Sequence, residues 1–333
     1  MNKFSIFTIV FIIGCYLNAN ACTNITLTAS NYRLIGHNLD WSSGQGFAVI
    51  SPVGITRQAV GLSPGQIPLK WTAQYGSITF NFAKANNEVN FAVVTSGMNQ
   101  VGLVAAALWL EASQYPKPNK LKPSLNNTMV VQYILDNFNS VNQVIAALSK
   151  INLVAIKYQG KAVKIHFIVQ DTMGNNAIFE YLNGKLVISK GNQANDFVLT
   201  NSVLNQSLQC LKQYKTLGGK LNIPIDYHSQ ARFIRATSLL KQSINNYTMQ
   251  QAVNYVFSIL KNVSEPIKSE SPTQWSIVYD TTTKQIFFRT LQYPAIRVIN
   301  FNEINFANSQ PIKILDLSQP SAGDITSNFK PLK

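Results

Sequence analysis

The sequence predicts an α+β protein in which two packed sheets are covered by helices. The chain has 333 residues and is 46% hydrophobic, which provides enough apolar surface for one large core. Short apolar and β-branched runs bounded by Gly, Asn and Pro indicate strands, and they alternate in blocks with segments of helical period. The block order is sheet, helices, sheet, helices, sheet. This order differs from the regular alternation of a doubly wound fold.

The strand blocks lie at the start, the middle and the end of the chain. The predicted strands are 24–28, 33–40, 47–52, 77–82, 91–95, 101–110, 165–170, 177–182, 185–189, 197–200, 276–279, 286–290 and 296–301. Turns are predicted at 97–99, 173–176 and 281–283, where Gly, Asn or Thr cluster. Apolar residues at three- and four-residue steps predict one or two helices over 129–148, and further helices over 231–242 and 249–261.

The first 21 residues have the layout of a secretory signal peptide. A positive start (2–3) precedes an apolar run (4–13) and a small-residue Ala-Asn-Ala cleavage site (19–21). The run is too short for a membrane span. Cleavage after this site leaves residues 22–333, which we interpret as a single domain of 312 residues (333 minus 21). We therefore expect an exported protein, periplasmic or secreted.

A second processing route stays open at Cys15. The stretch Ile-Ile-Gly-Cys at 12–15 resembles a lipoprotein signal, in which Cys15 would be lipidated. The Ala-Asn-Ala site is favoured because its product begins with Cys22. The mature chain then keeps Cys22 and Cys210, and a bridge between them stays open, although two cysteines make no disulfide framework. With three histidines and no close Cys/His cluster, we expect neither a metal nor another cofactor.

The formal net charge of +14 suggests nucleic acid at first sight, but the positive residues are scattered. The nearest cluster is Lys117, Lys120 and Lys122 in a proline-bearing loop. No zinc-finger spacing, basic helix or RNA-binding aromatic motif accompanies it. The charge favours an anionic substrate or an anionic envelope surface over nucleic acid.

A cysteine at a new N-terminus can supply both the nucleophile and the general base of an amide hydrolysis. Its thiol can attack an amide carbonyl to give a thioester, which water hydrolyses. Its own α-amino group, with an ordinary pKa near 8, can serve as general base. Asp40 lies 18 residues later at a predicted strand end, and a hairpin would return it to this amine. We therefore expect Asp40 to hold the amine by a charge-assisted hydrogen bond.

Motifs in a fixed order along nearly the whole chain resemble the choloylglycine hydrolase family of bile salt hydrolases and penicillin V acylases. The segment 36–41 (GHNLDW) resembles the family's G-R-N-x-D, and 97–103 resembles its D-G-x-N-E-K-G-L turn. The other similar segments are Cys22-Thr23, Leu199-Thr200-Asn201-Ser202, Gly218-Gly219 with Pro224 and Asp226, Ser229 to Phe233, and Tyr279 with Phe287 to Thr290.

The resemblance implies an N-terminal-nucleophile hydrolase with a four-layer αββα fold and a homo-oligomer, a tetramer in the family. It implies that Cys22 is nucleophile and base, and that Asp40 orients its amine. Asn201 would donate its side-chain N–H to the oxyanion, with the backbone N–H of Trp109 as second donor. Arg232 would lower the pKa of the thiol.

His37 departs from the family, which usually has arginine there. Histidine is shorter and is mostly neutral at pH 7 unless paired. The open interpretations are a thiol-polarising role, an altered substrate preference, a weakened enzyme and an inert replacement. We expect His37 beside the thiol, with protonation below a pH of about 6.5 favouring the thiolate. Residues three apart on a strand point to opposite faces, so this expectation needs a bulge or turn before Asp40.

Two tryptophans indicate the acyl group of the substrate. Trp109 and Trp41 suggest an aromatic-walled pocket for flat or long apolar acyl chains. The chain is most similar to the Gram-negative acylase branch, whose substrates include phenoxyacetyl-penicillin and N-acyl homoserine lactones. The alternatives are a conjugated bile salt hydrolase, a non-catalytic envelope protein on the same scaffold, and a serine hydrolase. The last rests only on two S-x-x-K matches, at 238–241 and 258–261.

Overall fold

The computed structural model describes residues 22–29, 32–82, 93–158, 160–191, 197–244 and 246–332. Within these ranges the chain forms two large sheets and five α-helices. The first twelve strands are β1 (Cys22–Ala29), β2 (Tyr32–Asp40), β3 (Gly46–Ser51), β4 (Thr56–Gln58), β5 (Ile67–Pro68), β6 (Lys70–Thr72), β7 (Ser77–Phe82), β8 (Val93–Asn99), β9 (Val104–Trp109), β10 (Pro123–Asn126), β11 (Asn152–Val154) and β12 (Lys157–Tyr158).

The later strands complete both sheets. They are β13 (Lys161–Ala162), β14 (Ile165–Gln170), β15 (Asn176–Leu182), β16 (Lys185–Gly191), β17 (Val198–Leu199), β18 (Thr273–Asp280), β19 (Gln285–Thr290), β20 (Arg297–Asn300), β21 (Lys313–Asp316), β22 (Gly323–Asp324) and β23 (Lys330–Pro331). The helices are α1 (Val130–Asn137), α2 (Val141–Leu148), α3 (Leu204–Leu211), α4 (Ser229–Leu240) and α5 (Met249–Asn262).

The first large sheet has seven strands in the order β17-β1-β2-β18-β19-β20-β22. The second has nine strands in the order β16-β15-β14-β9-β8-β7-β3-β21-β23. Helices α4 and α5 pack on the first sheet, and α1 and α2 pack on the second. The layers therefore run helix, sheet, sheet, helix, as the resemblance implies. β1 and β2 are interior strands of the first sheet, with β17 and β18 pairing on their outer sides.

The core is divided between two apolar clusters. The larger joins the two facing sheets to α4 and α5 and includes Ile25, Trp275 and Tyr279. The smaller lies between the second sheet and α1 and α2. Gly36 on β2 shows how closely a helix approaches, since a Cβ there would lie 2.7 Å from Val256 of α5. Any larger residue would push α5 off the strand that ends at Asp40.

Most predicted elements are present, with bounds within a few residues, although residues 91–92 of one predicted strand lie outside the described ranges. The segment 129–148 forms two helices. The predicted turn at 97–99 is wrong: these residues end β8, and the turn follows at Gln100–Gly102. Gly97 is needed for close packing, because a Cβ there would lie 2.6 Å from Ile78 O. Gly102, with φ of +90°, adopts the left-handed conformation that the turn requires.

The signal-peptide interpretation of residues 1–21, including Cys15, falls outside the described residues. Among the described helices, none has both the length and the apolar character needed to cross a membrane. Cys22 and Cys210 are both free thiols, so the bridge between them that the sequence left open is absent.

Candidate active site

Cys22 is the first residue of β1, which lies between β17 and β2 in the first sheet. Its partner in register on β2 is Leu39, and its side chain is only 3% exposed. The backbone N–H of Cys22 donates to Asn201 Oδ1 over 2.6 Å. Asn201 lies two residues after β17, which pairs with β1 on the opposite side from β2. Strand pairing therefore brings together two residues far apart in the sequence.

Asn201 has further contacts on both sides of its amide. Its Oδ1 also accepts a hydrogen bond from Arg232 Nη2 over 2.8 Å. Its Nδ2 donates to the carbonyl oxygen of Trp109 over 2.8 Å. These contacts fix which end of the amide faces the cysteine nitrogen, because a carbonyl oxygen can only accept and Trp109 must therefore receive the amide N–H.

Arg232 lies on α4 and is completely buried. Its Nη1 donates to the carbonyl oxygen of Cys22 over 2.8 Å and to Thr23 Oγ1 over 2.6 Å. A buried guanidinium requires acidic partners. Asp40 Oδ2 lies 3.7 Å from Nη1, and Glu265 Oε1 lies 3.6 Å from Nε. Arg232 thus holds the first residues of β1 in place from the helix side.

Asp40 ends β2 on the helix side of the first sheet. Thr273 donates its hydroxyl to Asp40 Oδ1, while Oδ2 has no hydrogen-bond partner among the described residues. Burial raises the pKa of Asp40 to about 8, against the lowering effects of Arg232 and Thr273. We predicted that Asp40 would hold the nitrogen of Cys22. The peptide nitrogen of Cys22 has a single hydrogen, which it donates to Asn201, so a bond between Asp40 and a free α-amine stays a prediction.

The sulfur of Cys22 has both favourable and unfavourable neighbours. Burial raises its pKa to about 12, and the negative charge of Asp40 acts in the same direction. The backbone N–H groups of Asp40 and Trp109 and the charge of Arg232 act to lower it. Leu110 N–H donates to the carbonyl oxygen of Lys164, the residue before β14, so alternation along β9 points the N–H of Trp109 away from β14. Trp109 therefore offers a backbone donor at the sulfur. Its role as an oxyanion donor stays a prediction.

Three neighbouring aromatic side chains, those of Trp41, Trp109 and Phe82, form an aromatic wall beside this donor. The ring centroids of Trp41 and Trp109 lie 6.4 Å apart, and those of Trp41 and Phe82 lie 5.5 Å apart in an edge-to-face arrangement. The indole N–H of Trp109 donates to Glu111 over 3.1 Å, and Glu111 also pairs with Lys164. Both predicted pocket residues therefore lie together, with Phe82 as a third member that sequence reasoning missed.

His37 makes no hydrogen bond to the thiol group, contrary to the expectation of a direct interaction. It lies opposite Asn24 on β1 and Ile277 on β18, and neither ring nitrogen has a hydrogen-bond partner among the described residues. His37 shares the face of Cys22 and Leu39, and Asp40 points to the other face, as strand alternation requires. Burial lowers the pKa of His37 to about 3. The ring is therefore neutral from pH 5.5 to 8.5, and the expectation of a charged thiol-activating histidine is wrong.

Two further residues of the site had no signal in the sequence. Thr273 and Glu265 lie beyond α5, outside every motif that we compared, and they reach Asp40 and Arg232 only through the fold. The register shift in β18 between Thr273 and Trp275 could not be predicted from local pattern. Among the described residues, no group of three or more His, Cys, Asp or Glu side chains could hold a metal ion.

The sequence profile described as linear amide C–N hydrolases, choloylglycine hydrolase family, matches residues 22–317. The chain belongs to this family. It is therefore an enzyme of the linear amide hydrolase class, and the alternative of a non-catalytic envelope protein is discarded. The family match begins at Cys22, the residue around which the contacts above are arranged.

Penicillin V acylases are among the most similar relatives of this family member. It is 30% identical over 347 residues to a penicillin V acylase of Pectobacterium atrosepticum, covering 93% of this chain and 90% of the relative. A solved structure of penicillin V acylase from Agrobacterium tumefaciens superposes with a TM-score of 0.80 at 28% identity, covering 94% and 98% of the two chains. These matches fit the Gram-negative acylase branch.

The fold extends to the bile acid hydrolases. A mutant of conjugated bile acid hydrolase from Clostridium perfringens superposes with a TM-score of 0.72, covering 91% of this chain and 98% of that one. At 20% identity, this likeness shows the shared fold alone.

Proposed function

We propose that this family member is an exported acylase in which Cys22, made N-terminal by removal of residues 1–21, attacks the amide carbonyl of an N-acylated small molecule. The observation that supports this most is the set of contacts at the nitrogen of Cys22. Asn201 accepts its hydrogen at 2.6 Å, and Asp40 Oδ2 has no hydrogen-bond partner among the described residues. Arg232 Nη1 donates to the carbonyl oxygen of Cys22 and lies 3.7 Å from Asp40 Oδ2. An unpartnered carboxylate oxygen at this end of β1 suits an α-ammonium group.

Removal of residues 1–21 would change what this nitrogen can do. A peptide nitrogen donates one hydrogen, and here Asn201 receives it. An α-ammonium carries three hydrogens, so Asn201 and Asp40 could each accept a hydrogen bond from it at the same time. When the α-amine takes the proton of the thiol, the resulting positive charge would stabilise the thiolate. At about 4 Å, and with an effective dielectric constant of 20, such a charge lowers a thiol pKa by about 3. Processing would then convert a mostly protonated thiol into a usable nucleophile.

The proposed catalytic cycle would use groups that lie around Cys22. The thiol gives its proton to the α-amine and attacks the acyl carbon, and the carbonyl oxygen becomes an oxyanion. The backbone N–H of Trp109 and the second side-chain N–H of Asn201 would donate to this oxyanion. Its collapse expels the amine of the substrate, protonated by the α-ammonium, and leaves a thioester. A water molecule, deprotonated by the α-amine, then attacks the acyl carbon of the thioester. The C–S bond breaks, the acid leaves, and the sulfur takes back a proton from the α-ammonium.

The aromatic wall indicates which type of acyl group the substrate carries. Trp41, Trp109 and Phe82 present flat apolar surfaces next to the donor at the sulfur. Such surfaces favour an aryl or a long alkyl chain through burial and ring packing. We propose phenoxyacetyl-penicillin or a medium-to-long N-acyl homoserine lactone as substrate. Conjugated bile salts are the second candidate, since the fold is shared with a bile acid hydrolase.

A matched substrate panel tests this proposal. Protein purified after export would be given penicillin V, a long-chain N-acyl homoserine lactone and a glycine-conjugated bile salt at equal concentrations. We expect hydrolysis of the first or second at least tenfold faster than that of the bile salt. The Cys22→Ala variant should hydrolyse none of them. A preference for the bile salt would overturn the substrate assignment, and activity in Cys22→Ala would overturn the nucleophile.

A further inference from the structure

A threonine outside every motif of the sequence is bonded to the carboxyl group of the site. Thr273 begins β18 and lies opposite Asp40 on β2. Its Oγ1 donates to Asp40 Oδ1. The same Oγ1 accepts a hydrogen bond from the backbone N–H of Glu265 over 2.9 Å. Thr273 thereby connects the carboxylate to the segment that follows α5.

These two bonds define the direction of the hydroxyl. A backbone N–H can only donate, so Glu265 must use a lone pair of the hydroxyl oxygen. The single O–H of Thr273 then points to the carboxylate, which when ionised can only accept. The register shift between Thr273 and Trp275 accompanies this placement, and bulges of this kind commonly redirect a side chain next to a site.

The hydroxyl leaves one oxygen of Asp40 available. Oδ1 is bonded to Thr273, and Oδ2, 3.7 Å from Arg232, has no hydrogen-bond partner among the described residues. We propose that Thr273 is a positioning residue, whose hydroxyl fixes Asp40 so that Oδ2 is presented to the amine of Cys22. This inference rests on the proposed function only in naming that amine. The orientation itself follows from the contacts of Thr273.

A hydrogen bond donated to a carboxylate also favours its ionised form. Burial raises the pKa of Asp40 to about 8, and Thr273 opposes that increase. The charged and titratable groups around Asp40 are Arg232 on α4, Glu265 beyond α5 and Cys22 on β1. Loss of the hydroxyl should therefore raise the pKa of Asp40. The carboxyl group would then be protonated over a wider pH range, in which it has no negative charge to bind an ammonium group.

The test compares Thr273→Val, which keeps the shape of the side chain but not its O–H, with Thr273→Ser, which keeps the O–H. Thr95→Val is the matched control, because its buried hydroxyl donates to Phe80 O on the second sheet. In mature protein, 13C NMR of labelled aspartate would follow the titration of Asp40, assigned with Asp40→Asn. We expect a midpoint about one pH unit higher or more in Thr273→Val. In Thr273→Ser and Thr95→Val, the titration midpoint of Asp40 should stay within about 0.3 pH units of the wild-type value.

Turnover provides the second readout. On penicillin V, the acid limb of kcat/KM should move up in parallel in Thr273→Val, with kcat reduced and KM little changed. Equal carboxyl midpoints in the wild type and Thr273→Val would overturn the inference. If the wild type hydrolyses no member of the panel, the proposed function fails, and the carboxyl titration still decides the role of Thr273. Thr273→Ala gives the same comparison if the valine variant does not fold.

Discussion

Asn201 Oδ1 and the backbone nitrogen of Cys22 are joined by a hydrogen bond of 2.6 Å between residues 179 positions apart. The same oxygen accepts from Arg232, which in turn holds the carbonyl oxygen of Cys22. One amide and one guanidinium therefore determine the position of both backbone polar atoms of the cysteine. Neither partner can move without displacing β1, so we expect the site to be rigid in the absence of substrate.

The first prediction concerns processing. Protein retained with residues 1–21, for example by blocking cleavage with Ala21→Pro, should react slowly with iodoacetamide at Cys22. Burial raises the pKa of this thiol to about 12, and no α-ammonium is present to lower it. Mature protein should react about 100-fold faster or more at pH 8. Mass spectrometry of the two labelled peptides measures both rates, with Cys210 as internal reference.

Intact mass and N-terminal sequencing complete this test. The active protein should begin at Cys22, and Cys22→Ala should fold with an unchanged circular dichroism spectrum. Cys210→Ala should keep its activity, because Cys210 lies on α3, outside the contacts of the site. An active protein that retains residues before Cys22, or that is lipidated at Cys15, would contradict the prediction.

The second prediction concerns Asn201. The Asn201→Ala variant loses the acceptor for Cys22 N–H and the donor that we assign to the oxyanion. Loss of one such donor typically lowers kcat by about 100-fold to 1,000-fold, and we expect at least this loss on penicillin V. Asn81→Ala is the control, since Asn81 is also buried but donates to Thr79 on the second sheet. Initial rates and thermal unfolding would be measured on both, and equal kcat losses would refute a specific role for Asn201.

The third prediction concerns the aromatic wall. Trp41→Ala should raise KM for penicillin V by about tenfold or more, because the acyl group loses much of a buried aromatic contact. Trp41→Phe should have an intermediate KM. Trp71→Phe serves as the remote control, since Trp71 belongs to the core beneath α1 and its indole donates to Asp136. If Trp41→Ala changes KM no more than Trp71→Phe does, the wall does not bind the acyl group.

The sequence was informative where local pattern decides the structure. Strands such as β14 and β7 were predicted with their correct bounds, because their apolar runs are bounded by turn residues. The helix α3 was missed because its eight residues bury only Leu204 and Ser207, too few for a periodic signal. The strands β21 and β23 were missed because they depend on pairing at the edge of a sheet completed by distant residues.

The same distinction applies to the site. Motif order identified Cys22, Asp40 and Asn201 as residues that meet, and the fold brings them together. The individual hydrogen-bond partners could not be predicted, because a residue type does not determine which of several nearby acceptors receives a given N–H. Thr273 could not be found, because its function depends on the register of β18 against β2 and not on its neighbours in sequence.

The last prediction concerns His37, whose buried ring is neutral in the working range. Burial lowers its pKa from the usual 6.5 to about 3, so the folded protein resists protonation at a pH where the unfolded chain accepts it. The unfolded state then binds more protons as pH falls below about 6.5, and stability is lost in that direction. At pH 5 the loss from this one group is about 2 kcal/mol. His37→Gln, which stays neutral, should lose less stability between pH 7.5 and 5 than the wild type.

Denaturant unfolding at several pH values measures this difference, with His228→Gln as the control for an exposed histidine. The catalytic counterpart is the kcat/KM profile on penicillin V from pH 5.5 to 8.5, which His37→Gln should leave unchanged in shape. The ring nitrogens of His37 have no hydrogen-bond partner among the described residues, the sulfur included, so we expect its protonation to play no part in forming the thiolate. A limb near pH 6.5 that is present in the wild type and absent from His37→Gln would show that the ring titrates in the folded enzyme and influences Cys22 after all.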